Sequence, residues 1–371
     1  MMVMNLSTRV ANYPLVLNPR ALIVVAASLA FWSLSIFWMV LGFDPFRSDV
    51  AAYWQDSLQW QQPYDPFHLP FYPFLIALAR ALTFDLLPAI VLMQIVVFLA
   101  YLAGALLVYE LLRRANLGRL PATLGSLLFS AWPFVGLVYA VYPVSDTVAV
   151  TLILAGLYCL QRSQVAVAGA FFGLALVTHK ISWVFVALLT LAWLVNGRFA
   201  SKRALLAYFP PLLAPIVLLW LAGSFYYDSP AWLFSSTLGQ EADSRSEWFL
   251  LDGILGSLSH GFSGLVKAAI VAGLLVTAGI STILCYRSKN PMKPYGVALA
   301  GAVFLLCIFL SALNIWAGVR FSRLLVLPLL WGLHSPESLS HRARLLWGGL
   351  LAVALISQFA YAWYTAEVFF A

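Results

Sequence analysis

Charge is what this chain has least of. Only 9% of its 371 residues are Asp, Glu, Lys or Arg, and just 14 are acidic. A soluble globular domain carries roughly 25% charged residues, so that class is excluded. The basic residues lie in short clusters between apolar runs, so the net charge of +7 reports membrane topology and not a nucleic-acid partner. Cysteine is scarce as well: Cys159, Cys285 and Cys307 stand far apart with no paired spacing. That excludes a disulfide framework and a metal knuckle, and leaves three small buried hydrophobes. The chain also lacks a Gly-rich phosphate loop, a zinc-protease helix motif and a Gly-x-Ser-x-Gly elbow.

What is abundant is apolar length. Hydrophobic residues make up 63% of the chain and mean hydropathy is +0.91. Runs long enough to cross a bilayer recur from end to end, which predicts an all-α polytopic membrane protein. A retained first span covers Ala21–Leu41, too long for a signal-peptide core. The first outer loop, 43–85, holds an amphipathic interfacial helix over Phe71–Leu82. Spans follow over 86–112, 120–142, 146–161, 165–177, 181–195 and 205–223. A long outer loop, 224–261, precedes spans over 262–286, 295–313, 324–333 and 345–364. That makes about eleven transmembrane helices. No internal repeat and no polar linker breaks the chain, so 1–371 reads as one domain.

Charge orients these spans. The segments assigned to the inside hold 14 of the 21 basic residues and only Glu110 and Glu337 among the acids. The positive-inside bias therefore places the N-terminus in the cytoplasm. Most acids fall outside, and they concentrate just after the first span. There Ser48 can cap a short helix that carries Asp49, Tyr53 and Asp56 on one face. Two acids and an aromatic on one face suit a pocket wall better than a lipid surface, because carboxylates beside a membrane need a cavity or a partner. His68 lies at the end of that loop, and as a residue before proline it also reads as a local turn hydrogen-bonder. Asp146 opens the fourth span, as its cap or as a substrate contact. His179 and Lys180 sit at the outer end of the fifth. Arg320 and Arg323, with no acid near them in sequence, read as headgroup anchors or as a phosphate clamp. No His/Cys/acid cluster has metal-ligand spacing, so neither a metal nor a cofactor is expected, although a divalent ion between Asp49 and a phosphate is chemically compatible.

Four motifs share an order and a side of the membrane: RSDVAAY at 47–53, HLPFYP at 68–73, SDT at 145–147 with GLALVTHK at 173–180, and VRFSRLLVLP at 319–328. In these the chain resembles the GT-C-fold membrane glycosyltransferases that use lipid-phosphate sugars, in particular the protein mannosyltransferase, aminoarabinose transferase and GPI-mannosyltransferase group. The likeness runs from the first span to about Leu333. It departs from the pattern in having His179-Lys180 where a lone base is usual and Val50 where a second acid is usual.

The resemblance implies a sugar transferase in a prokaryotic plasma membrane with its site at the outer face. Its donor would be a polyprenyl-monophosphate sugar and its acceptor a glycan, lipid or protein. Asp49 would be the general base of an inverting reaction. Tyr53, Asp56, His68, Asp146, His179, Lys180, Arg320 and Arg323 would line the substrate site, the arginines gripping phosphate. A non-catalytic carrier or flippase for a lipid-linked or anionic solute is the alternative class, and it calls for charges at mid-span. The topology is directly testable. Cysteines placed at Ser201 and Ser288 should be shielded from an impermeant thiol reagent in intact cells, whereas one at Ser244 should label. The opposite pattern would invert the orientation.

Overall fold

In the computed structural model the residues described are 19, 22–30, 54, 57, 71–83, 86–132, 144–198, 201–226, 229–230, 255, 258, 261–309 and 320–333. Every regular element among them is helical. In chain order these are α1 (Phe71–Thr83), α2 (Leu86–Arg114), α3 (Arg119–Ser130), α4 (Ser145–Gln161), α5 (Val165–Thr178) and α6 (Ser182–Trp193). A π turn, Leu194–Arg198, extends α6. Then come α7 (Lys202–Tyr226), α8 (Gly261–Arg287) and α9 (Lys293–Phe309), and a 3-10 turn, Ser322–Leu325, leads into α10 (Val326–Leu333).

Short connections force neighbours to run antiparallel. Four residues, Ala115 to Gly118, join α2 to α3, where Asn116 takes φ 64° and Leu117 N–H bonds back to Leu112 O. Arg162 to Gln164 join α4 to α5, with Ser163 at φ 60°. Helix α4 packs between α2 and α5, α5 lies along α7, and α8 packs on α9 and α10. The centre is filled from the 3-10 turn and α10: Leu324, Leu325, Val326, Leu327 and Trp331 are all fully buried. A segment apolar on every side is either buried in protein or set in lipid, and this one is buried.

The closest packing is between α5 and α7. Gly169 and Gly173, one turn apart on α5, face α7 so closely that a Cβ at Gly169 would collide with the Tyr208 carbonyl. A Cβ at Gly173 would lie 2.9 Å from the Pro211 carbonyl. Pro215 has no N–H to offer that carbonyl one turn back, so α7 presents exposed backbone oxygen where α5 presents no side chain. Small residues at this spacing let two helix backbones touch in a bilayer, where apolar burial alone gives no driving force.

Among the described residues, three helical stretches are long and apolar enough to cross a membrane: Ala89–Arg114, Lys202–Phe225 and Ala268–Arg287. At a rise of about 1.5 Å per residue each matches or exceeds a hydrocarbon core of about 30 Å. Their outer faces are apolar, as Leu206 and Leu218 on α7 illustrate at 72% and 66% exposure. The remaining apolar helices run to 10–17 residues, below that length. Within the span expected over 120–142, α3 stops at Ser130 and Ala131 leaves helical geometry at φ −99° and ψ 21°, while 133–142 lie outside the described residues. Trp132 precedes Pro133, and a residue before proline is driven out of the helical region. The ends of the first span and the whole of the one over 345–364 lie outside the described residues. The three cysteines are buried and unpaired, as their spacing implies.

Gly169→Val should lower the thermal midpoint in detergent, corresponding to a loss of at least about 1–3 kcal/mol from forced separation of α5 and α7. Gly273→Ala, where nothing lies within 4 Å of an added Cβ, should not. Equal midpoints for the two variants would remove the close-contact account.

Candidate functional site

Charge gathers where α4 begins, α5 ends and the chain re-enters towards α10. Val144 precedes α4 in extended conformation, φ −110° and ψ 154°, and no side chain caps the helix. Asp146 sits in the first turn, yet it is not the expected cap. The residue is 1% exposed, so its carboxylate is enclosed by the protein. Arg320 Nη1 donates to Asp146 Oδ2 at 3.4 Å. On the other side His179 Nε2 lies 3.5 Å from Oδ1.

His179 is placed by the end of α5. The helix closes at Thr178, and His179 is extended at φ −152° and ψ 129°. Its Nδ1 accepts the Ile181 N–H at 3.1 Å, so in the neutral ring the proton sits on Nε2, which faces the carboxylate. The ring also packs 5.1 Å from Phe321, which stacks on Phe185 at 5.6 Å. Lys180 follows in the turn into α6, where its carbonyl accepts the Trp183 N–H.

Arg323 is not the headgroup anchor that its position near a span end allowed. It is 1% exposed, with Nη2 donating to Thr147 Oγ1 at 3.2 Å and the guanidinium 5.4 Å from the Phe129 ring centroid. Its Nε is buried without a hydrogen-bond partner. Nor do these arginines lack acid: Asp146 pairs with Arg320 directly and acts on Arg323 through space. Among the described residues, two guanidiniums and the His179 ring thus meet at the Asp146 carboxylate. The planar donor fork of a guanidinium matches a phosphate.

The structure thus brings Asp146, His179, Arg320 and Arg323 together. Asp49, Tyr53, Asp56 and His68 lie outside the described residues. Trp54 and Ser57 in the same segment are helical and buried, and Ser57 Oγ bonds to Trp54 O at 2.6 Å. Arg80 of α1 stacks over Trp54 at 5.1 Å and donates to Ser57 O. Trp54 shares its apolar cluster with Val144, two residues before Asp146. Trp54 is thereby held beside the start of α4.

Several residues of the site were not singled out in the sequence. Thr147 holds Arg323, Trp132 Nε1 donates to Ser322 Oγ at 2.8 Å, and Tyr101 donates to Ser130 O at 2.8 Å. The Trp132-Pro133 break was the one available signal, since it ends α3 beside Ser322. Among the described residues no group of three or more His, Cys, Asp or Glu could hold a metal ion. The class defined by fold and site is an all-helical membrane-type bundle with an enclosed cationic cluster at one end. Comparison with protein-family models, curated proteins and solved structures finds no match to the chain.

Removing one member of a buried ion pair strands the other. Asp146→Asn should cost about 3 kcal/mol or more of unfolding free energy. In an Arg320→Gln background the same change should cost clearly less, which a double-mutant cycle of unfolding in detergent measures. Strict additivity would mean that Arg320 and Asp146 are neighbours without coupling.

Proposed function

We propose that the chain is a membrane glycosyltransferase of the GT-C kind, transferring sugar from a polyprenyl-monophosphate donor to an acceptor at the outer face. The observation that carries this reading is the buried pairing of Asp146 with Arg320, with Arg323 beside it, at one end of the bundle. A lipid-phosphate donor needs its reacting phosphate held at a membrane boundary, and an enclosed pair of guanidiniums supplies charge and directed donors there. Basic residues at the opposite helix ends, Arg113, Arg114, Arg162, Arg287 and Lys293 among them, agree with a cytoplasmic assignment for that end.

In the proposed step an acceptor hydroxyl oxygen attacks the anomeric carbon from the face opposite the phosphate. The carbon–oxygen bond to phosphate breaks, and the electron pair leaves with the phosphate towards Arg320 and Arg323. The hydroxyl proton goes to a carboxylate, and Asp49 is assigned this role. Asp146 already has its charge engaged by Arg320 and His179, so it positions these groups instead. The sugar configuration inverts. No cofactor is required by these steps. A carrier would call for ionisable groups at mid-span. The charged groups of this site come instead from helix ends.

Purified protein incubated with radiolabelled polyprenyl-phosphate sugars should transfer label to an acceptor. Asp49→Asn should cut turnover by at least the roughly hundredfold typical of losing a general base, and Asp56→Asn by less. Arg320→Gln should weaken donor binding, with Lys restoring only part of it because the planar fork is lost. Full turnover in Asp49→Asn, Asp56→Asn and Asp146→Asn alike would overturn the enzyme reading.

A further inference from the structure

The opposite end of the bundle holds a second cationic arrangement that the transferase proposal does not use. Arg114, the last residue of α2, and Arg162, the residue after α4, both reach the ring of Tyr158. Their guanidinium carbons lie 4.9 Å and 5.8 Å from its centroid, and Arg162 Nη1 is 3.4 Å from the Tyr158 hydroxyl. The Nε of Arg114 is buried and has no hydrogen-bond partner. Both ion pairs found among the described residues belong to Asp146 at the other end, so no described carboxylate neutralises Arg114 or Arg162.

One aromatic ring can attract two cations, but the cations repel each other, and cation–π attraction offsets that repulsion by about 0.5–2 kcal/mol each. The neighbouring loop adds positive charge instead of relieving it. Asn290 Nδ2 donates to Ala115 O at 3.4 Å and Gln161 reaches Met292 at 3.1 Å, which ties the loop bearing Lys289 to this rim. Arg113 and Arg119 stand nearby on the ends of α2 and α3. An anion seated between the two guanidiniums would satisfy the open Nε and remove the repulsion.

Position identifies the anion's source. Leu120 at the start of α3 and Val167 at the start of α5 are exposed apolar residues at this same rim. The arginines therefore stand where an acyl-chain surface meets water, the depth of a phospholipid phosphate. We propose that Tyr158 holds Arg114 and Arg162 as a two-pronged receptor for the phosphate of an anionic phospholipid, in the leaflet opposite the candidate transferase site. Basic clefts between transmembrane helices on the cytoplasmic side bind such headgroups by this chemistry.

The test uses the full chain in detergent, with thermal unfolding followed as phosphatidylglycerol is added. Phosphatidylcholine with the same acyl chains and inorganic phosphate serve as separate arms. Phosphatidylglycerol should raise the midpoint saturably, and neither control should reproduce the rise. Arg162→Gln, an exposed position that should fold normally, should weaken the apparent affinity by at least about tenfold, the loss of one charge-assisted hydrogen bond. Tyr158→Phe keeps the ring and should bind like the parent, while Tyr158→Leu should weaken binding. Arg119→Gln, on the same rim without the ring, should leave the shift intact. A rise produced equally by inorganic phosphate would mean a free-anion site and overturn the lipid assignment. Equal weakening by Arg119→Gln and Arg162→Gln would mean diffuse surface attraction, and a shift untouched by Arg162→Gln would place the lipid elsewhere.

Discussion

The structure depends on the pairing of Asp146 with Arg320, made across 174 positions of sequence. A carboxylate that is 1% exposed in a helical bundle cannot remain charged without a partner, and a guanidinium beside it has the same need. Their meeting fixes the start of α4 against the chain that enters α10. His179 adds the end of α5 to the same point, and Thr147 holds Arg323 next to it. Replacing such a cluster with well-packed apolar residues is often neutral or stabilising, whereas removing one member strands the other.

The packing around it makes that enclosure possible. Short helices cannot each span the bilayer alone; α4 and α5 pack against the longer α2 and α7, α6 packs against α9, and α10 is almost wholly buried. The Gly169 and Gly173 face lets α5 lie against the backbone of α7. With α5 seated there, its C-terminus delivers His179 to Asp146. Aromatic stacking of Phe185, Phe321 and His179 then fills the space that a looser bundle would leave to water.

Helix positions were largely legible from the apolar runs. Residues 86–112, 146–161 and 165–177 anticipate α2, α4 and α5 closely, because unbroken hydropathy bounded by basic or turn residues has few alternatives. The end of α3 at Ser130, inside the run over 120–142, was not legible from hydropathy, which ignores the backbone restriction that Pro133 imposes on Trp132. Site residues were legible one at a time: Asp146, His179, Arg320 and Arg323 stand out as charges in an apolar chain. Their mutual contacts were not, because nothing local links Asp146 to Arg320, or Trp132 to Ser322 across 190 positions. The depth of Arg323 was equally hidden, as a span-end arginine reads the same whether it faces lipid or core. Asp49, Tyr53, Asp56 and His68 lie outside the described residues.

The central claim is that the Arg320 and Arg323 cluster receives the phosphate of a lipid donor. The most direct measurement is equilibrium binding of a radiolabelled polyprenyl monophosphate to the purified chain, competed by the same polyprenol without its phosphate. Binding that the alcohol cannot displace, and that Arg323→Gln weakens by at least about tenfold in a protein that still folds, is the expected result. Equal affinity for phosphate and alcohol, or parental affinity in Arg323→Gln, would contradict it.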